Sequence, residues 1–197
     1  TYEGYGFGGF SDNDIGLYGK KFLRKHTLSA NLDYDRDVVH YYGYDTGMVH
    51  ILDDNAGITK QRYSNIGGNI SLQSHYTDSL HLNYLGNLKY YNLTDYYKTS
   101  ENNILATADV SGYYEKQLVH VPLSVDYYNN TTDIDTSHSV LIKLRPYIIS
   151  SGDKWNTRIG MGIAVEGNHD DKSRFLFYPN IDFNYNVLEN IIVPYAG

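Results

Sequence analysis

Apolar and polar residues alternate with a period of two in stripe after stripe along this chain. Leu28, Ala30, Leu32 and Tyr34 alternate with Ser29, Asn31, Asp33 and Asp35. Ile66, Gly68, Ile70 and Leu72 alternate with Asn65, Gly67, Asn69 and Ser71. The pattern continues through Leu80–Tyr90, Ile104–Val110, Val119–Tyr127, Val140–Ile148, Trp155–Val165 and Phe175–Tyr185. Successive side chains of a strand point to opposite faces, so each stripe predicts a strand with one apolar and one polar face. Helical spacing fits none of these windows as well.

The gaps between stripes sort into two kinds. Short connections are expected at Leu23–Lys25, Thr77–Ser79, Glu115–Gln117, Ser150–Lys154 and Val187–Asn190. Longer ones are expected at Asp45–Lys60, Leu93–Glu101, Asn129–Ser137 and Gly167–Lys172, with Ser11–Asp14 as a brief member of that set. Short turns on one rim and longer loops on the other are the pattern of bacterial outer-membrane barrels. The long connections collect Asp12, Asp14, Asp45, Asp53, Asp54, Asp95, Asp133, Asp135, Asp170 and Asp171, whereas Lys20, Lys21, Arg24, Lys25, Lys116 and Lys154 fall at the short turns. One rim is expected to be acidic and the other balanced or basic.

Aromatic residues gather at stripe ends. Tyr42, Tyr90, Tyr127, Trp155 and Tyr185 are the expected membrane-interface rings, because a ring with one apolar and one wet end belongs at the headgroup level. Stripes of about ten residues match a tilted spanning strand. The fold expected is therefore all-β: an antiparallel up-and-down transmembrane β-barrel. It is expected as one region over residues 1–197 with about ten to eleven strands, including Tyr2–Phe10 and Ile15–Phe22 near the start. No plug domain is expected within it. The strand count and the cut look of both ends suggest part of a larger barrel.

Composition narrows this little further. Among 197 residues there are 22 tyrosines, 18 glycines, 4 prolines and no cysteine. Mean hydropathy is −0.48, and no run approaches the roughly 20 apolar residues of a spanning helix. A net charge of −7 argues against nucleic acid as a partner. Outer-membrane lipid or lipopolysaccharide, and other outer-membrane proteins or lipoproteins, are the partners expected.

Lys89, Asp109, Asp126, Lys143, Arg145, Arg158 and Asp182 take the polar side of their stripes and are the expected lumen-facing set. Such a mixed set filters or binds a polar solute as charged rings do in pores, or else pairs within itself and fills the interior. Asp53-Asp54-Asn55 and Asn168-His169-Asp170-Asp171 offer hard oxygen ligands without the one-three-five spacing of a Ca²⁺ loop, so no metal or other cofactor is expected. Histidines and serines are plentiful, but no nucleophile elbow or metal-ligand spacing joins them, and no catalytic residue or enzyme is expected. Gly/aromatic alternation from Tyr2 to Phe10 fits a curved strand better than a phosphate loop.

The stretches Gly16-Leu17-Tyr18-Gly19-Lys20-Lys21, Leu28–Asp37 and Phe177-Tyr178-Pro179-Asn180-Ile181-Asp182-Phe183, with Ile191–Gly197, resemble the wall of Bacteroidota outer-membrane barrels of the TonB-dependent-receptor-like type. The resemblance implies a bacterial outer-membrane protein for passage or uptake of a polar solute, with energy coupled from the inner membrane. It carries over to the barrel portion only. The alternative is a non-transport barrel that serves as scaffold or partner in an outer-membrane complex, or as a surface-binding protein.

Overall fold

The computed structural model describes residues 10–40, 60–115, 117–168, 173–185 and 195–196. Every element among them is a β-strand, and all belong to one antiparallel sheet. The strands are β1 Phe10–Phe22, β2 His26–His40, β3 Lys60–Ser74, β4 Asn83–Asp95, β5 Ser100–Tyr114 and β6 Gln117–Thr131. They continue as β7 Thr136–Leu144, β8 Tyr147–Ser151, β9 Trp155–Asn168, β10 Arg174–Tyr185 and the short β11 Tyr195–Ala196.

Each strand pairs with its sequence neighbour, except that β7 and β8 both lie between β6 and β9. Their registers match: Leu123↔Leu144 and His120↔Tyr147 belong to one ladder, as do Leu144↔Ile163 and Tyr147↔Gly160. They are two halves of one strand, interrupted where Pro146 lacks an N–H. Hydrogen bonds cross the interruption on both sides, from Arg145 N to Pro122 O (3.0 Å) and from Met161 N to Pro146 O (3.1 Å). The eleven elements therefore occupy ten strand positions.

Two expectations about the connections change. Phe10–Phe22 is one continuous strand, so Asp12 and Asp14 stand in a ladder opposite Asp37 and Asp35 rather than in a loop. The alternation of short and long connections is also weaker than the sequence suggests. Residues 96–99 and 132–135 make four-residue turns, because the Asn/Thr/Ser-rich flanks remain paired as strand. Asn92 Nδ2 donates to Ser100 Oγ (3.0 Å) and to Asn102 Oδ1 (2.8 Å), a side-chain ladder that replaces apolar contact there. Residues 75–82, expected as a tight turn, are the longer connection, and β4 begins only at Asn83. The 41–59 connection and the Tyr2–Gly9 part of the first expected strand lie outside the described residues, as do the Asp53-Asp54-Asn55 and His169–Asp171 stretches.

The register assigns every side chain to a face. One face carries Leu28, Leu72, Gly86, Ala108, Leu123, Leu144, Ile163 and Phe177 on a single rung. The adjoining rung carries Ala30, Ile70, Leu88, Ala106, Val125, Ile142, Val165 and Phe175. This apolar face has no second layer over it among the described residues: Leu32, Ile66, Ile70, Ile159 and Ile181 are each more than half exposed. Val38 and Ala164 are the only buried hydrophobic residues among them. The chain exposes 14897 Å², whereas a folded soluble monomer of its 22.5 kDa exposes about 9,500 Å². Neighbouring strands are staggered as well. The rung through Thr27, next to the turn end of β2, reaches β10 at Tyr178, seven residues above its turn end at Tyr185. Such stagger is the geometry of tilted strands. Among the described residues β1 and the short β11 remain the two sides of an open sheet.

Candidate functional site

The candidate site is the polar face, built by every second residue of each strand. All seven side chains expected to point inward lie on it: Lys89, Asp109, Asp126, Lys143, Arg145, Arg158 and Asp182. Three of them enter one array across five adjacent strands. Asp109 Oδ2 lies 3.1 Å from His120 Nδ1. The His120 ring stacks on Tyr147 with centroids 4.8 Å apart and planes 11° from parallel. The Arg158 guanidinium lies over the Tyr147 ring, 5.1 Å from its centroid, and Arg158 Nη1 reaches Asp182 Oδ2 at 3.1 Å. Two carboxylates thus terminate a row of stacked cationic and aromatic groups.

Glycines make room for this array. A Cβ on Gly160 would lie 2.6 Å from both Pro146 O and Tyr147 Cβ, and one on Gly162 would collide with the Tyr178 ring. The Tyr178 ring therefore lies across β9 at Gly162, the cross-strand packing of aromatic on glycine, while Gly160 lets the backbone at Pro146 and Tyr147 approach closely. Sequence reading placed His120 and Tyr147 on the polar side but did not single them out. Their partnership depends on register, which parity alone does not give.

Asp126 is satisfied separately, accepting from Asn103 Nδ2 at 2.6 Å. Lys89 lines a hollow of about 420 Å³ with Asp33, Asn65, Asn69, Tyr91 and Glu101. Tyr91 Oη donates to Glu101 Oε1 at 2.5 Å beside it. The carbonyl oxygens of Asn65, Asn69 and Asn87 are buried on this face without a protein partner. A face of this kind is completed by water or by a polar solute. Lys143 and Arg145 have no ion-pair partner among the described residues. The polar face is thus partly self-paired and partly left with unneutralised charge.

The opposite face has defined borders. Tyr90 and Tyr127 flank Ile104 on one rung, and beyond them the same face turns polar at Asn92, Asn102 and Asn129. Tyr90 Oη donates to Asn102 Oδ1 at 3.1 Å, directing its polar tip toward that fringe. At the turn end Trp155 pairs with Tyr185, and the Trp155 indole N–H edge lies over Gly152 of the adjoining turn. Tyr34, which ends its stripe, and Tyr84, which stands inside one, extend the two aromatic borders and were not among the interface rings expected from the sequence. Tyr42 lies outside the described residues. Between the borders the apolar face runs seven residues on β3 (Ile66–Leu72) and nine on β6 (Val119–Tyr127), about 20–27 Å along the strand.

The 75–82 turn closes its rim with side chains. Asp78 Oδ1 accepts from the backbone N–H groups of Leu80 and His81 (3.1 Å each) and contacts His81 Nδ1 at 2.5 Å. The His81 contact above all holds its carboxyl below the ordinary 3.8; desolvation opposes it, and the backbone donors of Leu80 and His81 add to the lowering. Tyr76 stacks on His81 with centroids 4.7 Å apart.

Asp12, Asp35 and Asp37 bring carboxylate oxygens within 4.8 Å of one another on the polar face near the loop end. Compared with known protein families, curated proteins and solved structures, the chain matches none.

Proposed function

We propose that this chain forms the wall of a bacterial outer-membrane β-barrel that passes or takes up a polar solute, with its apolar face against lipid and its polar face lining the lumen. The unlayered, exposed apolar face carries the reading. A surface of that size is an aggregation hazard in water and a match for hydrocarbon. Aromatic borders at both ends of the band and its height support the same solvent. In hydrocarbon the sheet has to close, because unpaired edge N–H and C=O groups have no water to meet. Among the described residues the sheet is open, so closure is part of this proposal. The relation to TonB-dependent-receptor-like barrels rests on sequence texture alone and is part of this proposal.

The second reading, a non-transporting wall that serves an outer-membrane complex, is favoured by the pairing of Asp109, His120, Tyr147, Arg158 and Asp182 across the polar face. Reconstitution in a planar bilayer separates the two. Discrete conductance supports passage. A protein that inserts yet stays electrically silent, and co-purifies with other outer-membrane proteins, supports the second. A chain that stays monomeric in buffer without detergent overturns both.

A further inference from the structure

Cations gather at one border of the apolar face, although the chain carries −7 overall. Lys21 stands opposite Leu28, and His26 lies two residues before Leu28, so both take the apolar side at the turn end of β1 and β2. Tyr84, two residues before Gly86, takes the same side on β4. Rings meet there. His26 lies 5.8 Å from Tyr84 and 5.9 Å, edge to face, from Tyr76, and Tyr76 stacks on His81 at 4.7 Å. Lys25 Nζ stands over Tyr76, 5.9 Å from the ring centroid. Lys21, Arg24 and Lys25 are exposed, and no ion pair joins them to a carboxylate among the described residues. Asp78 is the single carboxylate of the 23–25 and 75–82 connections, and His81 and two backbone N–H groups already occupy it. Glu115 belongs to the next turn, between β5 and β6. Beside the cations the 75–82 connection is apolar. Leu80 is 91% exposed and Leu82 62%, and the Leu82 side chain lies over Gly112 on the apolar face.

Resting on the reading of the apolar face as lipid-facing, this border stands where hydrocarbon gives way to phosphate. Lysine stems lie along apolar surface there while their ammonium groups reach the headgroups. We propose that the turn-end border of β1–β4 binds the headgroup of an anionic glycerophospholipid. Lys21 and Lys25 meet its phosphate, the Tyr76–His81 stack flanks it, and Leu80 and Leu82 lie against its acyl chains. A phosphate accepts charge-assisted hydrogen bonds from both lysines, and a net negative headgroup adds attraction that a zwitterionic one, carrying its own ammonium, cancels. The 41–59 connection, the longest between described strands, leaves the opposite end of the sheet. The border is thus on the short-turn, periplasmic rim, whose leaflet is glycerophospholipid rather than lipopolysaccharide. The site is built by four neighbouring strands on the outside of the wall, so it is the same whatever number of strands completes the barrel.

The test is native mass spectrometry of the intact protein from micelles holding equal dioleoyl phosphatidylglycerol and dioleoyl phosphatidylcholine. Phosphatidylglycerol is expected to be retained in excess. Lys21→Gln/Lys25→Gln is expected to lower the ratio of the two retained lipids by roughly 10- to 30-fold, about fivefold for each lysine. Tyr76→Ala, which leaves the charge alone, is expected to lower it as well, and Lys154→Gln at another short turn is expected to leave it unchanged. Heat-dependent gel mobility shows that each variant folds. Equal retention of both lipids overturns the headgroup site and leaves the lipid-facing wall standing. A ratio that the Lys21/Lys25 variant does not move, or that Lys154→Gln lowers as far, overturns the site too. Displacement of phosphatidylglycerol by added lipopolysaccharide overturns the assignment to glycerophospholipid. A chain that stays monomeric in buffer without detergent and retains neither lipid overturns the wall and the site with it.

Discussion

Leu123→Arg is the substitution whose cost differs most between lipid and water as the solvent of the apolar face. Leu123 sits at the middle of the Val119–Tyr127 stretch of β6, on the rung with Ala108 and Leu144, and is 40% exposed. Four residues separate it from either end, about 10 Å of depth once the strands tilt. An arginine near a bilayer midplane on a barrel wall costs about 2–4 kcal/mol. That is roughly a 30- to 900-fold loss in the folding equilibrium. On a water-facing surface the same change stays within about 0.5 kcal/mol. Asn129→Arg is the matched control, on the same strand and face but in the polar fringe, with an expected cost of about 0–1 kcal/mol. Leu123→Ala removes the lost apolar contact from the comparison. The assay is equilibrium refolding from urea into short-chain phosphatidylcholine vesicles, followed by heat-dependent gel mobility and by fluorescence of the single tryptophan, Trp155. Equal small costs at positions 123 and 129 would refute the reasoning.

The remaining expectations concern closure, glycine packing and acid. Were these ten positions to close on themselves, a tilt of about 35–45° would carry a total stagger of roughly 10–14 residues and bring Ala196 alongside the Asn13–Leu17 stretch of β1. In that case Ala196→Cys forms an intramolecular disulfide with a cysteine at position 13, 15 or 17 in detergent; disulfide-linked dimers alone would contradict closure by these ten strands. Gly162→Ala meets the Tyr178 ring and is expected to cost about 1–3 kcal/mol, with Tyr178→Ala restoring tolerance, while Gly86→Ala, with nothing within 4 Å of the added Cβ, is expected to be neutral in the same refolding assay. The lowered folded-state value of Asp78 means that its contribution is present above the ordinary 3.8 and is lost as pH falls through the lower folded value. Carboxyl titration followed by NMR in micelles is expected to find Asp78 below 3.8, and His81→Ala is expected to return it toward that value.

Much of the fold was legible because parity is a local property. Each stripe fixed its own apolar side, and the seven inward candidates followed from it. Strand limits were not legible where polar residues stay paired. Asn92, Ser100, Asn102 and Asn129 carry no apolar alternation, yet main-chain ladders and amide side chains keep them in strand. The Ser11–Asp14 stretch misled for the same reason, since Asp12, Asn13 and Asp14 pair with the polar Asp37, Arg36 and Asp35. Among the site residues, sequence gave direction without neighbourhood. Asp109 and Asp182 are 73 positions apart, and only the registers of four successive ladders join them through His120, Tyr147 and Arg158. The strand break at Pro146 likewise hid the even number of strand positions behind a count of eleven elements.

Site-directed spin labels on adjacent residues test the assignment of solvents most directly. In lipid vesicles, labels at Ile70, Leu88, Leu123 and Ile142 are expected to be relaxed by dissolved oxygen, and labels at Asn69, Asn87, Ser124 and Lys143 by a water-soluble nickel chelate. The contrast should reverse at every residue along a strand. Equal chelate access on both faces would contradict the account.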